Sequence, residues 1–336
     1  MEPQSAAIRT EALSKRFASF VAVDSVSFEV RPGECFGLLG PNGAGKTTII
    51  RMLTTLLAPS SGRAEVAGYD IVRAARQVRE LIGVIPQALT SDLDLTGWEN
   101  LDIYGEFYGV PRRVRRERAQ RLLHMVALTE RANDLVATYS GGMRRRLEIA
   151  RGLMHEPKVL FLDEPTIGLD PQSRRVVWEL LDRLRQETEL TISLTTHYMD
   201  EAEYLCDRIA IVDGGKIVAL DTPNGLKASV READQIELEV DADFEQVAAA
   251  LRAEPYVREL THHDHGAISV ATDEGARAIP KIIDHIEAGG HNVLSISLRR
   301  LSLEDVFIHF TGRTLRDMPA RKVSFLIGAG MPQSRN

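Results

Sequence analysis

Gly40-Pro41-Asn42-Gly43-Ala44-Gly45-Lys46-Thr47-Thr48 is the stretch from which the rest of the chain can be read. It follows the apolar run Cys35-Phe36-Gly37-Leu38-Leu39, which reads as a buried strand. It precedes Ile49, Ile50, Met52, Leu53, Leu56 and Leu57, whose spacing predicts the packed face of a helix beginning near Thr47. Strand, glycine loop and helix form the context in which G-x-x-x-x-G-K-[ST] cradles phosphate. Gly43 and Gly45 permit the turn that aims the backbone N–H groups of residues 43–48 at phosphate oxygens. Lys46 is placed to reach the β- and γ-phosphates, and the Thr47 hydroxyl to ligate Mg²⁺. The positive end of the helix points at the same anion. The pattern predicts a nucleotide site on a surface loop, with Lys46 contacting phosphate alone.

Composition bounds what surrounds this site. A chain of 336 residues is long for one domain, and its 44% hydrophobic content is enough for a sizeable core. The net charge of −7 argues against a dedicated nucleic-acid binder, so no nucleic-acid partner is expected. Residues 1–230 carry 29 Lys/Arg against 31 Asp/Glu, whereas 231–310 carry 7 against 16, which predicts a boundary near 230. Cys35 and Cys206 fit neither a disulfide framework nor a zinc spacing and suggest a reducing compartment. No apolar run approaches the length of a membrane span.

Taken in order, residues 8–13 and 21–30 read as strands joined by a loop carrying Phe17, which suits either an adenine stack or a core edge. Leu81–Pro86 reads as a strand with Gln87 at its end, within reach of a metal or an attacking water. Thr96-Gly97-Trp98-Glu99 has capping-box spacing and predicts a helix running through Tyr108. Six arginines between 111 and 121 lie on an amphipathic helix. Their face is either solvated or directed at anionic lipid or an acidic partner. Ser140 can cap a helix, and Gly141 and Gly142 let a phosphate approach the backbone. Val159-Leu160-Phe161-Leu162-Asp163-Glu164 is an apolar strand ending in two carboxylates. Asp163 suits a metal role, and Glu164 suits polarising the attacking water. Thr166–Asp170 forms a turn before a helix opened by Pro171, with Val176, Val177, Leu180, Leu181 and Leu184 on its apolar side. Thr191–Thr196 is a strand ending in His197, placed to sense a γ-phosphate. Asp213-Gly214-Gly215 makes a hairpin.

This order of motifs over residues 1–230 resembles an ABC-type ATPase subunit. Gly40–Thr48 matches Walker A, Val159–Glu164 Walker B, Gln87 the Q-loop, and Tyr139–Met143 the signature sequence. Gly168–Asp170 and His197 match the D-loop and switch histidine, while Phe17 falls at the adenine-stacking position. Tyr139 and Met143 stand where Leu and Gln are usual, a variant similar to the daunorubicin-resistance, drug-export branch. The resemblance implies an α/β P-loop core with a helical signature subdomain over about 88–155. It implies catalytic roles for Glu164, His197, Gln87 and Asp170, Mg²⁺ held by Thr47, Gln87 and Asp163, and ATP bound by Phe17, Gly40–Thr48 and Ser140–Gly142. It further implies a homodimer sandwiching two ATPs head to tail. Membrane-spanning permease subunits would be separate chains, and the protein would sit peripherally on the cytoplasmic face of the cell membrane.

Residues 231–310 read as β-α-β-β-α-β, a ferredoxin-like α+β unit. His262, His263, Asp264 and His265 could bind a metal, or simply form an exposed hairpin tip. Leu301–Phe307 and Thr311-Gly312-Arg313 resemble the end of the same export-branch subunits, and 311–336 reads as a tail. Two other functions would leave different marks in the sequence. A soluble ABC ATPase acting on ribosomes or DNA would usually show tandem cassettes, a long coiled coil or zinc clusters. A GTP switch would carry N-K-x-D. None of these features is visible in the sequence. Cargo is not legible, and drug-like, lipid and glycan substrates all remain open.

Overall fold

The computed structural model describes residues 6–230, 234–241, 244–252, 254–262, 268–273, 275–299 and 301–312, which form two compact units, 6–220 and 221–312. The first unit begins β1 (Ile8–Phe17), β2 (Phe20–Val30), β3 (Cys35–Leu39), α1 (Lys46–Leu53), β4 (Ser61–Val66), β5 (Tyr69–Asp70), α2 (Ala75–Leu81) and β6 (Ile82–Ile85). Three helices follow, α3 (Gly97–Phe107), α4 (Arg112–Met125) and α5 (Gly141–Gly152). It ends with β7 (Val159–Asp163), α6 (Pro171–Glu187), β8 (Thr191–Thr196), α7 (Met199–Leu205), β9 (Arg208–Asp213) and β10 (Lys216–Asp221).

An antiparallel sheet of order β2-β1-β4-β5 and a six-stranded sheet of order β10-β9-β3-β8-β7-β6 share one core. β9, β3, β8, β7 and β6 run parallel. Parallel strands are covered on both faces, which explains why β3 and β7 as far as Leu162 are uninterrupted apolar runs with every residue buried. Phe28 of one sheet stacks on Phe36 of the other at 5.1 Å, and Ile49, Met52 and Leu53 of α1 join them in the core. Because β3, β8 and β7 are neighbours, their C-terminal ends carry Gly40, His197 and Asp163 along one sheet edge, where α/β sheets bind ligands. α3, α4 and α5 pack on one another beside this edge. The expected capping box is present at α3, with the Glu99 amide donating to the Thr96 hydroxyl and the Thr96 amide to the Glu99 carboxylate.

Several expectations change. β1 and β2 are longer than predicted and meet in a tight hairpin, so Phe17 ends β1 opposite Phe20 instead of lying in a loop. α1 stops at Leu53. The Thr54 hydroxyl donates back to the Ile50 carbonyl, Thr55 takes φ +64°, and Leu56 is left 71% exposed, off the core. On α6, Val177, Leu180, Leu181 and Leu184 are buried while Val176 is largely exposed. The arginine helix α4 is not a uniform solvated face. Arg115 pairs with Asp102 and Glu106, and Arg118 with Glu156, whereas Arg112, Arg113, Arg116 and Arg121 face solvent.

The second unit contains α8 (Pro223–Ser229), β11 (Asp234–Val240), α9 (Phe244–Leu251), β12 (Glu259–His262), β13 (Ile268–Thr272), α10 (Gly275–Ala288), β14 (Val293–Arg299) and α11 (Leu303–Thr311). Its antiparallel sheet has the order β12-β13-β11-β14, the arrangement of a split βαβ unit. Ile236, Leu238, Ile268 and Val270 meet Val247, Leu251, Ile282 and Ile286 of the two helices in a separate core. The units divide after Leu220, ahead of the charge shift, because α8, with Leu226 buried, packs on α11. His262 stacks on Phe244 at 5.0 Å, while His263, Asp264, His265 and the tail from 313 lie outside the described residues.

Candidate functional site

The glycines of the loop after β3 are placed by need. Gly43 and Gly45 take φ +82° and +109°, and a Cβ on Gly45 would come within 2.6 Å of the Ala22 carbonyl oxygen. A Cβ on Gly40 would lie 2.2 Å from the Val212 carbonyl oxygen. The loop is braced from behind, since the Gly215 amide donates to the Ala44 carbonyl and the Gly40 amide to the Thr196 carbonyl. Ala22 belongs to the same hairpin as Phe17, so the β1–β2 turn stands beside the phosphate loop.

Lys46 overturns the expectation of an exposed lysine reserved for phosphate. It is 4% exposed, and its ammonium donates to the Gly40 and Pro41 carbonyls at 2.6 and 3.0 Å. It also lies 3.4 Å from Glu164 Oε1. Burial pushes its pKa down, opposed by the Glu164 and Asp163 carboxylates. Across the sheet, Asp163 Oδ1 accepts from the Thr47 hydroxyl at 3.0 Å and the Thr195 hydroxyl at 2.6 Å. Glu164 Oε2 lies 3.0 Å from His197 Nδ1. The Glu164 backbone is held at φ +50°, a costly place for a residue with a Cβ, by its amide donating to the Thr195 carbonyl and hydroxyl. Both carboxylates are less than a tenth exposed, more enclosed than a strand-edge position predicts.

One cluster therefore unites Lys46, Thr47, Asp163, Glu164 and His197. Thr195 completes it and was not singled out from sequence. Its signal is register, since Thr195 pairs directly with Asp163 across β7 and β8. The oxygen ligands at Thr47 and Asp163 fit a hard cation of the Mg²⁺ kind, which takes few protein ligands beside phosphate and water. Among the described residues no group of three His, Cys, Asp or Glu is arranged to hold a metal by itself.

A second cluster gathers at the N-terminus of α6. Ser140 caps α5 by accepting from the Met143 amide, and a Cβ on Gly142 would meet the Ser173 hydroxyl at 2.9 Å. Gly141 faces Leu169, and Asp170 caps α6 by accepting from the Ser173 amide. The unusual Tyr139 is buried and donates its hydroxyl to the Arg131 carbonyl at 2.5 Å. Gln87 sits at the end of β6 with an exposed side chain, its carbonyl accepting from Arg145 at 2.6 Å.

Fold and clusters together define a P-loop nucleotide hydrolase with a separate signature helix. The pattern of the family described as "ABC transporter" matches residues 23–167, and that of the "ATP-binding protein DrrA1-3-like, C-terminal domain" matches 222–311. The chain is 39% identical to the linearmycin resistance ATP-binding protein LnrL of Bacillus subtilis, over 92% of this chain and all of that one. It is 40% identical to the daunorubicin resistance ATP-binding protein DrrA3 of Streptomyces coeruleorubidus, over 91% and 96% of the two chains. Identity to the Nod factor export ATP-binding protein I of Ralstonia nicotianae is 39%, over 92% and 95%. Among solved structures, cbiO1 of Clostridium perfringens superposes with a TM-score of 0.61 at 27% identity, covering 66% of this chain and 91% of that one. The dimeric post-hydrolysis cassette MJ0796 bound to ADP and Pi gives 0.58 at 25%, covering 64% and 98%. The chain belongs to the ABC transporter family, as an ATP-binding, ATP-hydrolysing subunit of the type that carries the DrrA C-terminal domain.

Proposed function

We propose that this subunit hydrolyses Mg²⁺-ATP as a head-to-tail pair and so drives export of a drug-like cargo through separate membrane-spanning chains. The observation that carries this reading is the convergence of Lys46, Thr47, Asp163, Glu164 and His197 at one sheet edge. In it, Lys46 exchanges its carbonyl contacts for phosphate oxygens, Thr47 and Asp163 hold Mg²⁺, and Glu164 polarises the attacking water. His197 orients Glu164 and reads the γ-phosphate, Phe17 stacks on adenine, and Gln87 reaches toward the metal. Ser140–Gly142 and Asp170 lie in the other cluster, at the N-termini of α5 and α6, and no hydrogen bond joins them to the first among the described residues, which supports their serving the nucleotide of a second copy.

No helix among the described residues is long and apolar enough to cross a membrane; on this reading the membrane-spanning subunits are separate chains. Peripheral attachment to the cytoplasmic face follows from pairing with such permeases. Relatives named for linearmycin and daunorubicin resistance support a drug-like cargo, and one named for Nod factor export keeps glycan and lipid cargoes in view. Residues 231–310, with α8, form an accessory domain that regulates turnover or helps hold the pair.

Glu164→Gln tests this. The amide keeps the shape without the basicity of a carboxylate, so ATP binding should persist, hydrolysis should slow by about 10²-fold or more, and closed dimers should accumulate under light scattering. Hydrolysis at the wild-type rate would move the catalytic role elsewhere.

A further inference from the structure

Glu201 is a buried carboxyl that the proposed chemistry does not use. It lies in the first turn of α7, just after His197, and is 0% exposed. Its Oε1 accepts from the Thr166 hydroxyl at 2.6 Å and from the Trp178 indole N–H at 2.9 Å. Its Oε2 is buried and accepts no hydrogen bond. Burial raises the Glu201 pKa, partly offset by the surrounding Thr166, Thr196 and Trp178 side chains and by Arg174.

The three elements it joins have different duties. Thr166 opens the turn that runs to Asp170, two residues after Glu164. Trp178 lies on α6, whose first turn carries Ser173 against Gly142. α7 follows His197, which contacts Glu164. One carboxyl oxygen thus ties the helix behind the histidine of one cluster to the turn and helix that support the other.

We infer that Glu201 is a positioning residue that locks the Thr166–Asp170 turn and α6 to the His197 segment, so that a change at one nucleotide is felt at the surface facing the other. This rests on the reading that the two clusters serve two nucleotides. A bond of this kind matters for geometry during hydrolysis and contributes little to ATP affinity, because the hydrogen bonds of the Glu201 side chain go to Thr166 and Trp178 and to no phosphate-loop residue. It needs an acceptor at Oε1 and no charge, so an amide can replace the carboxyl.

The test is steady-state ATP hydrolysis by the full chain, with wild type, Glu164→Gln, Glu201→Ala, Glu201→Gln and Thr166→Val compared. Glu201→Ala should lower kcat about tenfold, reduce the Hill coefficient toward one, and leave KM for ATP within about threefold. Glu201→Gln should restore kcat to within about threefold of wild type. Thr166→Val removes one of the two bonds with little change of volume, and should show the same split in milder form. It keeps the test open should Glu201→Ala not fold. Wild-type hydrolysis with a Hill coefficient above one, lost in Glu164→Gln, secures the underlying reading independently. With that secured, wild-type kcat in folded Glu201→Ala or Thr166→Val would overturn the role of Glu201. So would a Glu201→Gln protein as impaired as Glu201→Ala.

Discussion

Lys46, Glu164 and His197 show how residue-scale burial changes what a substitution does. The lysine and glutamate side chains are 4% and 8% exposed, so each charge is held largely out of water by the other and by hydrogen bonds. Lys46→Ala should therefore do more than remove a phosphate contact. It leaves Glu164 with only its hydrogen bond to His197, and breaking a buried ion pair of this kind costs up to about 3–5 kcal/mol. We expect ATP binding to disappear and the melting temperature to fall together, and an unchanged melting curve with normal ATPase activity would contradict the site. Burial raises the pKa of Glu164, but the His197 bond and Lys46 outweigh it and hold the carboxyl below its ordinary value. A carboxyl depressed in the folded state contributes stability above its unfolded pKa of about 4.3 and loses it as pH falls through the folded value. Wild type should accordingly lose more melting temperature on acidification below about pH 4.3 than Glu164→Gln does. Parallel melting profiles would show that the bonds to Glu164 are not holding its charge.

At the scale of elements, α5 does more than present Ser140. Arg145, 2% exposed, donates to the Pro86 and Gln87 carbonyls at 2.8 and 2.6 Å. Three positions on, Glu148 accepts from the Thr90 amide at 2.7 Å, from the Thr90 hydroxyl and from the Ser91 amide, and Arg151 bridges to it at 3.0 Å. The strand-end loop that carries Gln87 is thus fastened by its backbone to the signature helix. Arg145→Leu keeps an apolar stem but leaves two carbonyls without their donor, at about 1–3 kcal/mol for each that stays out of water. We predict a loss of about 2 kcal/mol in urea unfolding, with faster proteolysis within residues 86–91. Stability within about 0.5 kcal/mol of wild type would mean water replaces the guanidinium freely. None of this was legible beforehand, because Arg145 and Glu148 read as ordinary members of a charged helix until β6 is placed beside them.

For the whole molecule, the division after Leu220 changes where the chain should be cut. A truncation near 230 keeps α8 but removes α11, the helix it packs on, and should expose Leu226, which is 1% exposed in the full chain. A truncation after Asp221 removes the helix pair together. The shorter protein should remain better dispersed than the one ending at 230, by light scattering. Both should bind ATP within a few-fold of the full chain, since residues 221–312 supply none of the nucleotide motifs. A folded truncation that lost affinity about 100-fold, or about 2.7 kcal/mol, would show that the second unit completes the site.

Sequence by itself determined the phosphate loop, the strand–loop–helix around it, the paired carboxylates after β7 and the β-α-β-β-α-β order of the second unit. These are local facts. A glycine that must take positive φ, a Ser or Thr that caps the next turn, and an apolar run of strand length each act on their neighbours in the chain. Tertiary structure alone decided the rest, because it depends on pairs far apart in sequence. Thr195 matters because β8 lies beside β7 in a register that sets it against Asp163. Lys46 is buried because Glu164 approaches from another strand, and Glu201 is a shared acceptor because α6 and the Thr166 turn both close over α7. α8 belongs to the second unit, against the charge boundary, because net charge is a property of surfaces while unit membership follows from which apolar side chains are buried together.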